Sequence, residues 1–317
     1  MKILITGGAG FIGSHIVDGC IQKKYEVVIV DNLSTGKKDN INPKAKFYNV
    51  DITNYEELEK VFKKEKPQVV NHHAAQIDVR KSVANPQYDA NINIIGSLNL
   101  LELCVKYKVE KFIFASSGGT IYGECKGKPA SKENSLYSPE SPYGCAKLSV
   151  EYYMNYYNKV YGLKTVSLRY GNVYGPRQDP FGEAGVVAIF INRMLNNQEV
   201  IIYGDGRQMR DFIFISDVVE ANMRCITKNL NFGIYNVGTQ KATSVNELFK
   251  IISKILKYDK PPVYQPPRKG ELFKSYLCID KIKKELGWQP KISLQKGIEE
   301  TIRYFKYGKI QSNPRVY

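Results

Sequence analysis

The chain has 317 residues, enough for one large domain or two unequal ones, and its 46 Lys and Arg against 31 Asp and Glu leave a formal charge of +15. That charge would attract nucleotides and other anions, but it is scattered in pairs such as Lys23-Lys24 and Lys283-Lys284, without the arginine-rich tail, zinc-finger spacing or dense basic helix of a nucleic-acid binder. No apolar stretch is long enough to cross a membrane, the N-terminus lacks signal-peptide order, and six cysteines without metal-like spacing suggest a reduced, cytoplasmic protein without a metal site.

Lys2–Thr6 is a short apolar run of strand type that breaks into Gly7, Gly10 and Gly13 and then into helical spacing at Ile12, Ile16 and Val17. A second β-branched run, Val27–Val30, ends in Asp31. Strand, glycine turn, helix, strand and acid in this order form a dinucleotide fingerprint: the backbone can approach a pyrophosphate, and Asp31 can accept from a ribose 2′-hydroxyl. After a polar loop over 32–42, the pattern reads strand at 46–50, helix at 54–64 and strand at 67–72. A turn at Asn85-Pro86 precedes a long helix whose apolar positions include Ile92, Ile95, Leu98 and Leu101. Strand 111–115, the polar stretch 116–122, helix 143–160 and strand 165–169 follow. This alternation with buried-looking strands requires a parallel sheet covered on both faces, a Rossmann-type doubly wound α/β fold.

From Gly175 the rhythm loosens. Helices are expected at 186–196, 217–228, 244–256, 280–286 and 294–307, with strands at 199–203, 211–215 and 235–237. Ser244 with Glu247 three residues later has the form of a capping box. The expected division is a predominantly dinucleotide-binding domain over 1–174 and a smaller, mixed substrate-binding region over 175–317, with the chain crossing back more than once.

Tyr143 and Lys147 are four residues apart on one predicted helix and so share a face. A lysine there favours phenolate and can hydrogen-bond the ribose beside a nicotinamide; tyrosinate is then a base for an alcohol proton. The alternative is a packed tyrosine beside a solvated lysine, and the position downstream of the fingerprint favours catalysis.

The chain resembles the extended short-chain dehydrogenase/reductases, and within them the NAD-dependent nucleotide-sugar epimerases of the UDP-glucose 4-epimerase type. The resemblance rests on GGAGFIG at 7–13, Asp31-Asn32, Asp51-Ile52, HHAAQ at 72–76, SSGGTIYGE at 116–124, YGCAK at 143–147, LRYGNVYGP at 168–176 and GDGRQMRDFIFISDV at 204–218. It implies NAD as cofactor and Tyr143 as the active-site base and acid with Lys147 as partner. It further implies that Gly7, Gly10, Phe11, Ile12 and Gly13 hold the pyrophosphate, Asp31 and Asn32 the adenosine ribose, and Asp51 and Ile52 the adenine. Ala74, Ala75 and Gln76 would line the cofactor, Asn91 would steady them, and Ser116 would join the cofactor set. Asn172, Arg210, Arg268 and Glu271 would contact the substrate nucleotide, and Ser275 would border the sugar.

One departure matters. Many epimerases carry a hydroxyl residue where this chain has Gly118, so Ser117 or Thr120 would have to supply the third catalytic hydroxyl. Related dehydratases carry an Asp-Glu pair where this chain has Gly119-Thr120, which argues against elimination. The resemblance implies a homodimer interconverting UDP-glucose and UDP-galactose, with UDP-N-acetylglucosamine and UDP-glucuronate 4-epimerases as alternatives. A non-enzymatic NAD-sensing or RNA-binding protein is the alternative of another class.

Overall fold

The computed structural model describes residues 1–125, 130–181, 185–268 and 272–308. In chain order the first elements are β1 (Lys2–Thr6), α1 (Phe11–Gln22), β2 (Glu26–Val30), β3 (Lys46–Tyr48), α2 (Tyr55–Glu65) and β4 (Val69–His72). Next come α3 (Val79–Ala84), α4 (Pro86–Ala90), α5 (Gly96–Lys106), β5 (Lys111–Ser117), α6 (Gly118–Ile121), α7 (Pro142–Tyr161), β6 (Lys164–Tyr170) and β7 (Asn172–Tyr174). They are followed by α8 (Val186–Leu195), β8 (Ile201–Tyr203), β9 (Met209–Arg210), β10 (Phe212–Phe214), α9 (Ile215–Thr227) and β11 (Phe232–Val237). The last are β12 (Thr243–Ser244), α10 (Val245–Leu256), β13 (Val263–Gln265), β14 (Lys274–Ser275), α11 (Asp280–Leu286) and α12 (Leu294–Tyr307).

Two compact units result: 1–121, 139–169 and 219–235 form the first, and 122–138, 170–218 and 236–317 the second. The first is built on a seven-stranded sheet of order β11-β6-β5-β4-β1-β2-β3, in which β1 pairs in parallel with both β2 and β4. The chain runs outward from β1 to β3, then returns to β4 and builds the other way. That reversal opens a crevice at the carboxyl ends of β1 and β4, where open α/β sheets take their ligands. Leu4, Val28 and Val70 from the strands meet Leu58 and Phe62 of α2, Leu100 and Leu101 of α5, and Val150 and Met154 of α7 in one core. This is the doubly wound sheet expected from the alternating pattern.

The helix expected after Asn85-Pro86 is present, but a π-helical turn at Asn91–Ile95 joins α4 to α5. The polar stretch 116–122 holds the end of β5 and the short α6. The expected strand 211–215 is instead β9 and β10, interrupted at Asp211. Short elements such as α3, α6 and β7 are made by tertiary contacts, and no periodicity longer than a turn announces them.

The second unit is mixed. It contains the parallel pairs β7–β10 and β8–β13, and a three-stranded sheet of order β12-β9-β14. Helix α10 begins with the capping box expected at Ser244 and Glu247. Trp288 is fully buried and its indole N–H donates to the Asp217 carbonyl at 3.0 Å. Among the described residues no helix is long and apolar enough to cross a membrane, and no group of acids, histidines and cysteines could hold a metal.

Candidate active site

The turn after β1 is closed by backbone bonds, Gly7 N to Val30 O at 2.9 Å and Gly10 N to Gly7 O at 3.0 Å. Gly7 has φ of +67°, and a Cβ there would lie 2.6 Å from the Ala74 nitrogen. A Cβ on Gly13 would overlap the Gly7 carbonyl oxygen, so α1 can approach the turn only with glycine at 13. Phe11 and Ile12 open α1, whose cap, Gly10, contributes no side-chain bond. The first-turn amides of that helix therefore have no internal acceptor, and an anion is their natural partner. A bare-backbone turn facing such a helix end fits a pyrophosphate.

Asp31 is buried at the end of β2, where its carboxylate accepts from Ala9 N at 2.9 Å and Leu33 N at 2.8 Å. Those bonds aim the group, and a carboxylate's remaining lone pairs can accept a ribose hydroxyl. Asn32 donates to Asp51 at 2.7 Å, so these two expected cofactor residues meet. Burial pushes the Asp51 carboxyl up, but hydrogen bonds from Thr53 and Asn32 outweigh it and hold it below its ordinary range. Ile52 packs its side chain into the core against Gly96, where a Cβ would lie 2.6 Å away.

The segment after β4 is tied by a hydrogen-bonded relay. Ser97 Oγ donates to the Asn93 carbonyl at 2.6 Å, so it accepts from His72 Nε2 at 2.9 Å. His72 Nδ1 is then the acceptor of the Thr6 hydroxyl at 2.6 Å, and Thr6 Oγ1 takes the amides of His73 and Ala74 at 3.2 Å each. Burial, reinforced by the Lys147 charge, holds His72 well below its ordinary value and His73 down to about 3, so both are neutral. Ala75 and Gln76 follow, and Gln76 is held at both backbone ends: its N–H donates to Asn93 Oδ1 and its carbonyl accepts from Asn93 Nδ2, each at 2.9 Å. The steadying residue is thus Asn93, which is buried, whereas Asn91 is exposed. A weak signal for it exists in the sequence: Asp89, Asn93 and Ser97 recur at i, i+4 and i+8 and so share one helical face, although Asn91 and Asn99 are polar as well.

Tyr143 stands in the first turn of α7, which Ser141 caps through Gly144 N at 3.1 Å. Lys147 is 3% exposed; its Nζ donates to the Ala115 carbonyl at 2.9 Å and lies 5.6 Å from the centre of the Tyr143 ring. Burial lowers the Lys147 amine to about 8, against the opposing pull of Asp89 and Glu151. Burial, with Asp89 second, raises the Tyr143 phenol well above its ordinary value.

The neighbouring hydroxyls differ. Ser116 is buried and donates to Glu151 at 2.6 Å, so that hydroxyl is committed inside the protein rather than free for a cofactor. Ser117 is partly exposed. Thr120 Oγ1 is buried without a partner, and the Thr120 carbonyl packs so closely on α7 that a Cβ at Gly144 would lie 2.7 Å from it. Thr120 therefore sits beside the turn that bears Tyr143.

In the second unit, Arg210 on β9 is in register with Ser275 on β14. Asp211 is 1% exposed, with a carboxylate that accepts from Thr239 N and Oγ1, Gln240 N and Leu277 N, so it is no part of a surface ion pair. Its carbonyl accepts from Asn172 N at 2.7 Å, bringing Asn172 to the same strand junction. A cavity of about 730 Å³ opens between Tyr203, Gln208, Tyr264, Arg268 and Phe273. The Arg268 guanidinium lies 3.9 Å from the centre of the Tyr203 ring. Glu271 lies outside the described residues. The cavity joins segments some sixty residues apart, paired as β8 and β13, which sequence spacing alone could not bring together.

The model of the NAD dependent epimerase/dehydratase family matches residues 3–238. A putative UDP-glucose 4-epimerase of Methanocaldococcus jannaschii is 51% identical over 304 residues, 96% of this chain and 98% of that protein. The structure of the Thermotoga maritima UDP-glucose 4-epimerase with UDP-glucose superposes with a TM-score of 0.95 at 52% identity, covering 96% of this chain and 99% of that one. The Thermus thermophilus UDP-glucose 4-epimerase in complex with NAD gives 0.92 at 44% identity, with 97% and 99% covered. The chain belongs to the NAD dependent epimerase/dehydratase family.

Proposed function

We propose that the chain is an NAD-dependent nucleotide-sugar 4-epimerase that interconverts UDP-glucose and UDP-galactose. The observation that carries this reading is the Tyr143–Lys147 pair, one helical turn apart, with the lysine anchored to Ala115 and its charge beside the phenol. When bound, NAD would accept a hydride from the sugar C4 and return it to the opposite face. The glycine turn at 7–13 would hold the pyrophosphate on free amides, and Asp31 the ribose. The loop at Ala74–Gln76, fixed by Thr6 and Asn93, would wall the cofactor.

Tyr143 would take the 4-hydroxyl proton as C4 becomes a ketone and give a proton back when C4 is reduced. Burial alone would leave Tyr143 a poor acid, so the Lys147 ammonium is needed to stabilise its phenolate. Thr120, whose buried hydroxyl has no partner, is the group we assign to orienting the sugar hydroxyl. The absence of an Asp-Glu pair at Gly119-Thr120 favours epimerisation over dehydration. Arg210 and Arg268 would neutralise the diphosphate, and the cavity beside Tyr203 would take the base. A homodimer would bury the exposed aromatic face of α7 at Tyr152, Tyr153 and Tyr156.

The test is incubation of purified protein with UDP-, GDP- and dTDP-sugars, followed by separation of products and absorbance at about 340 nm, where reduced nicotinamide absorbs. Interconversion of UDP-glucose and UDP-galactose without cofactor reduction in proportion to product is expected. Reduction in step with product would identify a net oxidoreductase instead. Absence of turnover on every sugar would favour an NAD-sensing or RNA-binding role. A second reading, UDP-N-acetylglucosamine as substrate, is favoured by the small side chain of buried Ser275.

A further inference from the structure

Asp89, on α4, is 1% exposed. Its Oδ1 accepts from Gln76 Nε2 at 2.9 Å and Asn93 Nδ2 at 3.0 Å, while Oδ2 is buried with no hydrogen-bond partner. A buried carboxylate with half its acceptor capacity unused is costly unless a cation compensates it. Helix α4 packs against α7, which contributes Tyr143, Lys147 and Glu151, and against α3. Glu151 is committed to Arg169, Ser116 and Ser167. On the α3 side, Asp78 caps the helix by accepting from Arg80 N and Lys81 N, and the side chains of Arg80 and Lys81 are exposed to screening solvent. The histidines of the adjacent strand end, His72 and His73, are neutral. Among these groups Arg169 is paired with Glu151, the buried cation without a carboxylate partner is Lys147, and the buried anion without a cation of its own is Asp89.

We propose that Asp89 is a positioning residue for the catalytic pair: its carboxylate fixes Gln76 and keeps the buried Lys147 in its ammonium form. Lys147 needs that help. Burial alone drives a lysine toward the neutral amine, which can neither stabilise a phenolate nor donate three hydrogen bonds. Asp89 is the first of the two charges that oppose this loss. The same anion disfavours phenolate at Tyr143, so its benefit comes through the lysine and not through direct activation of the tyrosine. The proposal rests on the epimerase reading only for the purpose of the ammonium; the charge coupling itself does not.

The test follows the pH titration of the Lys147 Cε–Hε resonance in purified protein with ¹³C-labelled lysine, identified by its loss in Lys147→Arg. Wild type should titrate near about 8. Asp89→Asn keeps an acceptor for Gln76 but removes the charge, and should move the midpoint down by about one pH unit. Asp89→Glu should restore most of it. An unchanged midpoint in folded Asp89→Asn would overturn the proposal. Asp89→Ser is the second uncharged variant if the asparagine does not fold. Should neither fold, the wild-type titration decides: a midpoint below about pH 6 would mean that no anion supports the ammonium. A shifted midpoint in a protein that turns over no UDP-sugar would leave the coupling standing and remove the proposed function.

Discussion

The Lys147 ammonium lies 5.6 Å from the centre of the Tyr143 ring, and the same nitrogen donates to the Ala115 carbonyl at the end of β5. The helix that carries Tyr143, the proposed acid–base group, is thereby tied to the carboxyl-terminal part of β5. Tyr143→Phe keeps the ring and the packing but removes the hydroxyl proposed to transfer the proton. Turnover of UDP-galactose should fall by about 10²-fold or more with an unchanged melting temperature. Near-normal turnover in a folded variant would place the base elsewhere.

Lys147→Met separates function from stability. The unfolded chain keeps a proton on this lysine up to 10.5 and the folded chain only to about 8. Between those values unfolding takes up a proton, so this group makes the protein more stable as pH rises through that window. Below it the burial penalty is present in full. The difference in unfolding free energy between wild type and Lys147→Met, measured by urea titration at about pH 7 and about pH 10, should therefore shift in favour of wild type at the higher pH. The variant should also lose turnover. A difference independent of pH would show that the lysine titrates as if exposed.

Thr120→Val removes a hydroxyl with little change of shape. Because Oγ1 is buried and unpartnered, its loss costs no internal hydrogen bond, and the fold should be unaffected. We expect kcat to fall by about 10²-fold, against a small effect of Ser117→Ala. The reverse ranking would assign the orienting hydroxyl to Ser117.

What could be read from sequence divides by range. The placement of Gly7, Gly13 and Asp31, and of Tyr143 beside Lys147, is set by spacings within one strand–turn–helix–strand unit or one helical turn, so order and period make that placement legible. The role given to Asn91 belongs structurally to Asn93, because the π-helical turn and the tertiary contact with Gln76 decide which asparagine faces inward. Ser116 falls by resemblance among the cofactor residues, but its partner Glu151 lies 35 positions away on another element, beyond any local pattern. The cavity beside Tyr203 and the burial of Asp211 depend on pairings among β7 to β14 that no single-sequence period encodes.

Asp31 should set cofactor preference. An added 2′-phosphate would approach a buried carboxylate already fixed by Ala9 and Leu33, so the acid cannot easily swing away. Like-charge repulsion should make NADP binding about ten- to a hundredfold weaker than NAD binding, with Lys37 and Lys38 softening the difference at low salt. Calorimetric titration of both oxidised cofactors into cofactor-free protein measures this. Equal affinities would remove Asp31 as the discriminator.

Glu151 tests the support beneath the pair. It receives Ser116, Ser167 and Arg169, with both ion-pair partners almost fully buried. Glu151→Gln leaves the Arg169 guanidinium without its counter-charge, which should cost about 3–5 kcal/mol of stability. Chemical denaturation measures that loss. A cost below about 1 kcal/mol would mean that the site hydrates or relaxes around the arginine.

Ser275 bears on sugar size. By resemblance its position borders the hexose, where a tyrosine narrows the pocket of related enzymes. Ser275 is 6% exposed and in register with Arg210, the residue proposed to bind the diphosphate, so it is not a solvent-facing strand position. A serine there leaves more volume than an aromatic side chain, and a 2-acetamido group would claim that volume as the keto sugar turns over. We therefore expect interconversion of UDP-N-acetylglucosamine and UDP-N-acetylgalactosamine alongside the glucose pair. Filling the space should penalise the larger sugar first, because overpacking costs rise steeply once contacts are met. Ser275→Tyr should lower kcat/KM for the acetamido pair by about 10- to 200-fold relative to the glucose pair, the scale on which pocket size discriminates. Since Ser275 is buried, the tyrosine could instead distort β14 and displace Arg210, and that outcome has its own signature. Loss of Arg210 would weaken both sugar pairs equally and raise KM for each, whereas a size gate changes their ratio.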